Sequence, residues 1–212
     1  MKILIIDDHP FVRKGLIHVL AHEMGDDLTV NEADCQADVL SHFSEQTYDL
    51  VLLDVSLEGR SGLDTLAWIK KEHPSVPVLI VSMHPEDQYA LRAIRLGAAG
   101  YLTKHSAPVD LIAAITQIRT TGKYISPTLS LLLAEEIGRR TDKRSSLYEL
   151  LSNREMEIGR LITSGSTAKE IAAILNLSVK TVNTYRARLL PKLSVRNNVE
   201  LTAYFIENKL IS

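Results

Sequence analysis

Four short apolar runs in the first half of the chain each end in polar residues. Ile3–Ile6 runs into Asp7 and Asp8, and Leu50–Leu53 into Asp54. Val78–Val81 runs into Ser82, and Tyr101–Leu102 into Thr103 and Lys104. Runs rich in Ile, Val and Leu, with helical patterns between them, read as parallel strands buried on both faces. The predicted strands are Lys2–Ile6, Leu28–Glu32, Leu50–Asp54, Val78–Ser82 and Gly100–Leu102. Helical spacing covers Phe11–Glu23, Ala37–Glu45, Leu63–Glu72, Asp87–Leu96 and Pro108–Thr120. This alternation predicts an α/β class with a doubly wound, five-stranded parallel sheet and right-handed crossovers.

After Gly122 the strand signal stops. Ser126-Pro127 opens a predicted helix through Ile137, with Pro127 in its first turn. Gly138–Ser146 is polar and charged and reads as a flexible linker, whose basic residues could also touch nucleic-acid phosphates. Ser152-Asn153-Arg154-Glu155 has capping-box spacing and starts a helix to Ile162, which Gly165-Ser166 ends. Ala168–Leu175, a helix capped by Ser178, and Asn198–Asn208 follow. The expected division is 1–121, a linker helix and flexible linker at 122–147, and a second, all-α domain at 148–212.

Composition sharpens this division. The 212 residues are 45% hydrophobic and 24% charged, which predicts a packed protein. No apolar stretch reaches the roughly 20 residues that span a bilayer, so no membrane partner is expected. The start Met1-Lys2-Ile3-Leu4 goes straight into a strand, leaving no room for a signal peptide. Cys35 is the single cysteine, which precludes an internal disulfide and fits a reducing cytoplasm. Residues 1–120 carry 10 basic and 17 acidic side chains, a net −7; residues 121–212 carry 14 and 9, a net +5. An acidic half joined to a basic half either faces a polyanion with the second half or merely spreads its solubility charge unevenly.

In an open α/β sheet, chemistry sits beyond the carboxyl ends of the strands. There Asp7, Asp8, Asp54, Ser82 and Lys104 should converge. Three carboxylates repel one another unless a cation neutralises them. Mg²⁺ suits oxygen ligands, with Asp8 and Asp54 binding it directly and Asp7 through water. Asp54 can also accept a phosphoryl group as a nucleophile. Lys104 would then balance the phosphoryl charge and Ser82 would donate to it. Each residue alone reads as a turn, a cap or a surface group. The ordered set does not.

That ordered set resembles the receiver domain of two-component response regulators, whose flavodoxin-like sheet has the order 2-1-3-4-5. The resemblance assigns Asp7/Asp8 as the acidic pair, Asp54 as the phosphorylation site, and Ser82 and Lys104 as phosphoryl contacts. It implies that the Ser56 backbone carbonyl joins the metal ligands. It implies that Tyr101 is a switch residue, moving inward when Ser82 turns toward the phosphate. One departure is Glu58, where the family often has Pro; it should alter the loop and the phosphoryl lifetime. His84 reads as a partly exposed surface residue.

In the second half, Ile158, Leu161, Ile171, Val182, Leu189, Leu193 and Leu201 supply a small core. Two helices joined by Asn176-Leu177-Ser178 have helix-turn-helix size. Helix Val179–Lys192 would be the recognition helix, with Lys180, Asn183, Thr184, Ala187 and Arg188 outward. Arg186 and Lys192 flank that face, Lys169 comes from the helix before, and Thr181 completes the DNA-contact set. Geometry alone leaves a protein-interaction domain open. Leu151-Ser152-x-Arg154-Glu155, Lys169-Glu170-Ile171-Ala172, Ser178-x-Lys180-Thr181-Val182 and Lys192-Leu193-x-Val195-Arg196 resemble the LuxR-type DNA-binding domain. Tyr185 stands where that family usually has His. Pro191 predicts a kink or an early end of the recognition helix.

The whole chain thus resembles a NarL/FixJ-type response regulator. The resemblance implies a transcription regulator rather than an enzyme, phosphorylated by a sensor histidine kinase with Mg²⁺. It implies double-stranded DNA and RNA polymerase as partners and a homodimer when phosphorylated. Two rivals stand beside it. A constitutive DNA binder with a degenerate receiver is one. The other is an Asp-nucleophile phosphohydrolase, although Asp7 is followed by Asp8-His9-Pro10 and not by the haloacid-dehalogenase pattern.

Overall fold

The computed structural model describes residues 1–25, 27–57, 60–106, 108–139, 147–208 and 210–211, with the side chains of 60, 137–139 and 149 left aside. Glu58 and the linker stretch 140–146 lie outside the described residues. The chain forms two compact units, Met1–Arg139 and Arg140–Ser212.

The first unit contains β1 (Lys2–Ile6), α1 (Pro10–Met24), β2 (Thr29–Ala33), α2 (Gln36–Glu45) and β3 (Leu50–Leu53). A two-residue hairpin, β4 (Ser56–Leu57) with β5 (Arg60–Ser61), precedes α3 (Gly62–Glu72). Then come β6 (Val78–Ser82), α4 (Glu86–Arg95), β7 (Gly100–Thr103), α5 (Pro108–Thr121) and α6 (Pro127–Arg139). The five-stranded parallel sheet has the order β2-β1-β3-β6-β7, the predicted 2-1-3-4-5 once the hairpin is set aside.

Side-chain alternation divides the strand residues between two cores. Leu4, Ile6, Val51, Leu53, Val78 and Ile80 pack with Val39, Phe43, Leu66, Ile69 and Ala93 from α2, α3 and α4. Ile3, Ile5, Leu50, Leu52, Leu79 and Val81 pack with Leu20, Leu111, Ile115 and Ile118 from α1 and α5. Each such side chain contributes roughly 1.5–3 kcal/mol on full burial, and this fixes the strand register. Ile6 pairs with Leu53, and Leu53 with Ile80, so the polar residues that follow emerge side by side.

Helix α6, expected within the linker, belongs to the first unit. Its Leu129 is fully buried in the α2–α3–α4 core, with Ile125 and Leu133 against it. Ser126 Oγ donates to Glu86 Oε2 at 2.5 Å, and Arg95 pairs with Glu136.

The second unit begins with a 3₁₀ turn, Leu147–Leu150. It continues through α7 (Asn153–Thr163), α8 (Ala168–Ile174), α9 (Val179–Lys192) and α10 (Asn198–Glu207). Capping boxes Ser152/Glu155 and Thr167/Glu170 start α7 and α8, satisfying backbone N–H groups that would otherwise be orphaned. Ile158, Ile171, Val182, Leu189, Leu201 and Phe205 form its core. Gly159 is needed there, because an added Cβ would stand 2.6 Å from Phe205 Cζ. Pro191 lies in the last turn of α9, which stops at Lys192. No helix among the described residues is long and apolar enough to cross a membrane.

Candidate functional site

The sheet register delivers the acid cluster. Asp54 N donates to Ile6 O at 2.9 Å, and Lys104 N to Ser82 O at 2.7 Å, extending the ladder past the strand ends. Gly62 makes room for this: its N–H reaches Val55 O at 2.7 Å, and a Cβ there would lie 1.8 Å from Asp54 O.

Asp7 and Asp54 are 2% and 3% exposed, far below what carboxylates tolerate without partners. Lys104 Nζ supplies the partner, 2.7 Å from Asp7 Oδ2 and 2.6 Å from Asp54 Oδ2. Burial pushes the Asp54 carboxyl above the usual range; Lys104 counters this in part, and the neighbouring Asp7 charge adds to the rise. Burial alone would lower the Lys104 ammonium, but the two carboxylates outweigh it and hold it above its ordinary value. His9 Nδ1 lies 2.6 Å from Asp8 Oδ1 and 3.2 Å from Asp7 Oδ1. One ligand atom each from Asp7, Asp8, His9 and Asp54 fall within 4.8 Å of one another. Hard carboxylate oxygens at that spacing suit a divalent cation of the magnesium kind.

The predicted switch residues join the same edge. Ser82 is fully buried, and its Oγ accepts from His84 N at 3.3 Å. Tyr101 is also fully buried, in the inward position, and its hydroxyl donates to His84 O at 2.9 Å. Burial keeps its phenol well above the usual range. His84 is partly exposed, as expected, but it also makes contacts that bridge two segments of the site. Its Nε2 meets Ser56 Oγ at 2.9 Å, and its ring packs 4.7 Å from that of Tyr89. It therefore ties the loop after Asp54 to the segment after Ser82. A lone histidine has no spacing that could have announced this.

In the second unit, the surface of α9 exposes Lys180, Asn183, Thr184, Ala187 and Arg188, as predicted, and Lys169 is exposed on α8. Others in the predicted contact set are engaged within the unit. Arg186 Nε donates to Asn198 Oδ1 at 2.7 Å, and Lys192 Nζ to Glu155 Oε2 at 2.7 Å. Thr181 shares the α9 N-cap with Ser178, its Oγ1 being 2.7 Å from Ser178 Oγ. Arg154, a motif residue, is buried and donates to Glu157 Oε2 at 2.7 Å and to Leu175 O at 2.9 Å.

A doubly wound sheet with acids, a hydroxyl and a lysine at its carboxyl edge, followed by a helix-turn-helix unit, defines the response-regulator class. Residues 3–116 match the response regulator receiver domain family, and residues 149–205 match the luxR family of bacterial regulatory proteins. The chain belongs to the response regulators of the NarL/FixJ (LuxR) type. It is 35% identical to response regulator GacA of Pseudomonas aeruginosa, across 100% of this chain and 98% of that one. It is 34% identical to response regulator UvrY of Escherichia coli, across 99% and 95%. Among solved structures it resembles an RcsB–DNA complex, at 27% identity and a TM-score of 0.59, covering 97% of this chain and 98% of that chain.

Proposed function

We propose that this chain is a DNA-binding transcription regulator switched by phosphorylation of Asp54 by a sensor histidine kinase or a small phosphodonor. The single observation that carries the reading is the convergence of Asp7, Asp54 and Lys104 within 2.6–2.7 Å at one sheet edge. An Asp54 oxygen attacks phosphorus, the bond to the donor's nitrogen (a kinase phosphohistidine) or oxygen (an acyl phosphodonor) breaks, and the donor leaves with the electron pair. Lys104 and the Ser82 hydroxyl then bind the phosphoryl oxygens. Asp8, Asp54, the Ser56 carbonyl and, through water, Asp7 would hold Mg²⁺, which supplies charge neutralisation at those oxygens when bound. Tyr101, expected to move inward when Ser82 turns toward the phosphate, is already buried here, so in this reading the turn of Ser82 holds it inward.

In this reading residues 1–121 are the receiver, with α6 docked on it, and 148–212 bind double-stranded DNA as a homodimer after phosphorylation. Lys169, Lys180 and Arg188 lie on the face that meets phosphates and bases. The protein works in the cytoplasm with RNA polymerase as a further partner, and its single phosphoryl turnover is a timer rather than an enzyme activity. The test is incubation with a small phosphodonor and Mg²⁺, followed by mass spectrometry and DNA titration. Wild type should gain an acyl phosphate labile to alkali and hydroxylamine, and DNA affinity, and Asp54→Ala neither. Equal DNA affinity in both proteins, with and without donor, would establish the constitutive reading instead.

A further inference from the structure

Hydrogen bonding sorts the residues of α9 into those that build the helix and those left for a ligand. Arg186, Lys192 and Thr181 are bound to Asn198, Glu155 and Ser178. The Thr184 hydroxyl donates to Lys180 O at 2.9 Å, so its donor is spent on its own helix and its methyl remains. Among the described residues, nothing pairs with the exposed Asn183 carboxamide, the Lys180 ammonium or the Arg188 guanidinium. Ala187 adds an exposed methyl one turn after Asn183.

The geometry points to Asn183 as the residue that reads an adenine in the major groove, with a thymine methyl seated against Ala187 and Thr184. This rests on the DNA-binding reading above and names the bases that reading leaves open. A carboxamide offers a donor and an acceptor side by side, the complement of adenine N7 and N6–H₂. Guanine presents two acceptors there and leaves the Asn183 carbonyl without a donor. Thr184 and Ala187, three apart, are neighbours on the helix surface and form an apolar patch that fits the C5-methyl of thymine. Ala187 lies about 6 Å along the axis from Asn183, roughly two base steps. Lys180 in the first turn of α9 and Arg188 beside Ala187 supply positive charge on either side of this patch, suited to phosphate contacts. The half-site is therefore read through A·T pairs, and the cations at either end hold the backbone.

The experiment uses the full-length chain, phosphorylated with a small phosphodonor and Mg²⁺, to select duplexes from a random-sequence pool. Selected half-sites should share an A·T pair. Replacing its adenine with 7-deazaadenine, which lacks N7, should weaken wild type roughly ten- to hundredfold. The same replacement should leave Asn183→Ala unchanged. Uracil in place of the neighbouring thymine should weaken wild type more than Ala187→Gly. Asn183→Ala should melt as wild type does, because its side chain has no partner among the described residues, and this separates lost reading from lost folding. An equal 7-deazaadenine penalty in both proteins, or the same selected sequence for Asn183→Ala, overturns the assignment alone. A pool with no enriched duplex overturns the DNA-binding reading and this assignment with it.

Discussion

Replacing Lys104 with Met tests the acid cluster most directly. The Lys104 side chain is 5% exposed and touches Asp7 and Asp54 at 2.7 and 2.6 Å. At an effective dielectric of about 20, each contact is worth on the order of 6 kcal/mol before desolvation. Taking three ions out of water offsets most of that. The relevant net figure is the cost of removing one partner from a buried ionic cluster, about 3–5 kcal/mol. Met fills much of the same volume, so the loss reports charge rather than packing.

A divalent cation should act differently on the two proteins. In wild type it competes with the ammonium for the oxygens of Asp7 and Asp54. In Lys104→Met the carboxylates have no internal cation, so Mg²⁺ binds more tightly and stabilises more. A ligand at a hundred times its Kd adds about 2.7 kcal/mol. Trp68 is the sole tryptophan and packs on Phe43 in the first unit, so its fluorescence during urea unfolding reports that unit alone. With a chelator present the variant should lose about 3–5 kcal/mol, and a Mg²⁺ titration should return more to it than it adds to wild type. A chelated loss under about 1 kcal/mol, or equal Mg²⁺ increments in the two proteins, would refute the shared-cation argument.

Leu129→Ala removes a fully buried side chain of α6 from the core of the first unit and should cost about 2–5 kcal/mol by the same Trp68 unfolding. An unchanged midpoint would mean that α6 does not dock on that unit in solution. In the second unit, burial pushes the Glu155 carboxyl up, but Lys192 and the Ser152 cap outweigh it and hold its pKa below the usual 4.5. A lowered folded pKa gives stability that is present above the unfolded value and lost as pH falls through the folded one. Acid unfolding of α7 and α9 below about pH 4.5, followed by amide NMR, should therefore lose part of its pH slope in Glu155→Gln. An unaltered slope would assign the pH dependence to other groups.

The strands were legible because burial on both faces forces unbroken apolar runs, and their polar endings then name the site. β2 was the least legible strand: its first four residues are exposed or half-buried, and it begins at Thr29 rather than Leu28. The β4–β5 hairpin and the 3₁₀ turn are too short for any periodicity to register. Helix α6 was visible as a helix but not as part of the first unit. An apolar stripe gives a face without naming what covers it, and Ser126 meets Glu86 across 40 residues of sequence. The same limit governs the recognition helix. Its outward face follows from the 3.6-residue period, but the engagement of Arg186 by Asn198 and of Lys192 by Glu155 depends on residues 12 and 37 positions away. Tertiary structure alone separates cations that hold the fold from cations left for a ligand.

In the proposed mechanism, phosphorylation of Asp54 sets a geometric demand on the segment after β6. An acyl phosphate adds about −1.5 to −2 charge beside Asp7, and Lys104 is already shared. The further donor on this edge is the Ser82 hydroxyl, whose oxygen accepts from His84 N. Turning that hydroxyl toward the phosphoryl group weakens its hold on His84. The His84 carbonyl is the acceptor for Tyr101, and its imidazole is bound to Ser56. Residues 82–84 therefore cannot move without changing the partners of Tyr101 and of the loop after Asp54. Two residues beyond His84, Glu86 opens α4 and receives the Ser126 hydroxyl. That carboxylate also sits at the amino end of α6, where the helix dipole favours a negative charge. Consecutive bonded groups thus connect Ser82 to the first turn of α6, and in the proposed mechanism a displacement at Ser82 would act along them. What it can deliver there is bounded by the Ser126–Glu86 hydrogen bond and the dipole contact, a few kcal/mol at most. That is enough to change how often α6 is docked, and too little to unfold the core around Leu129.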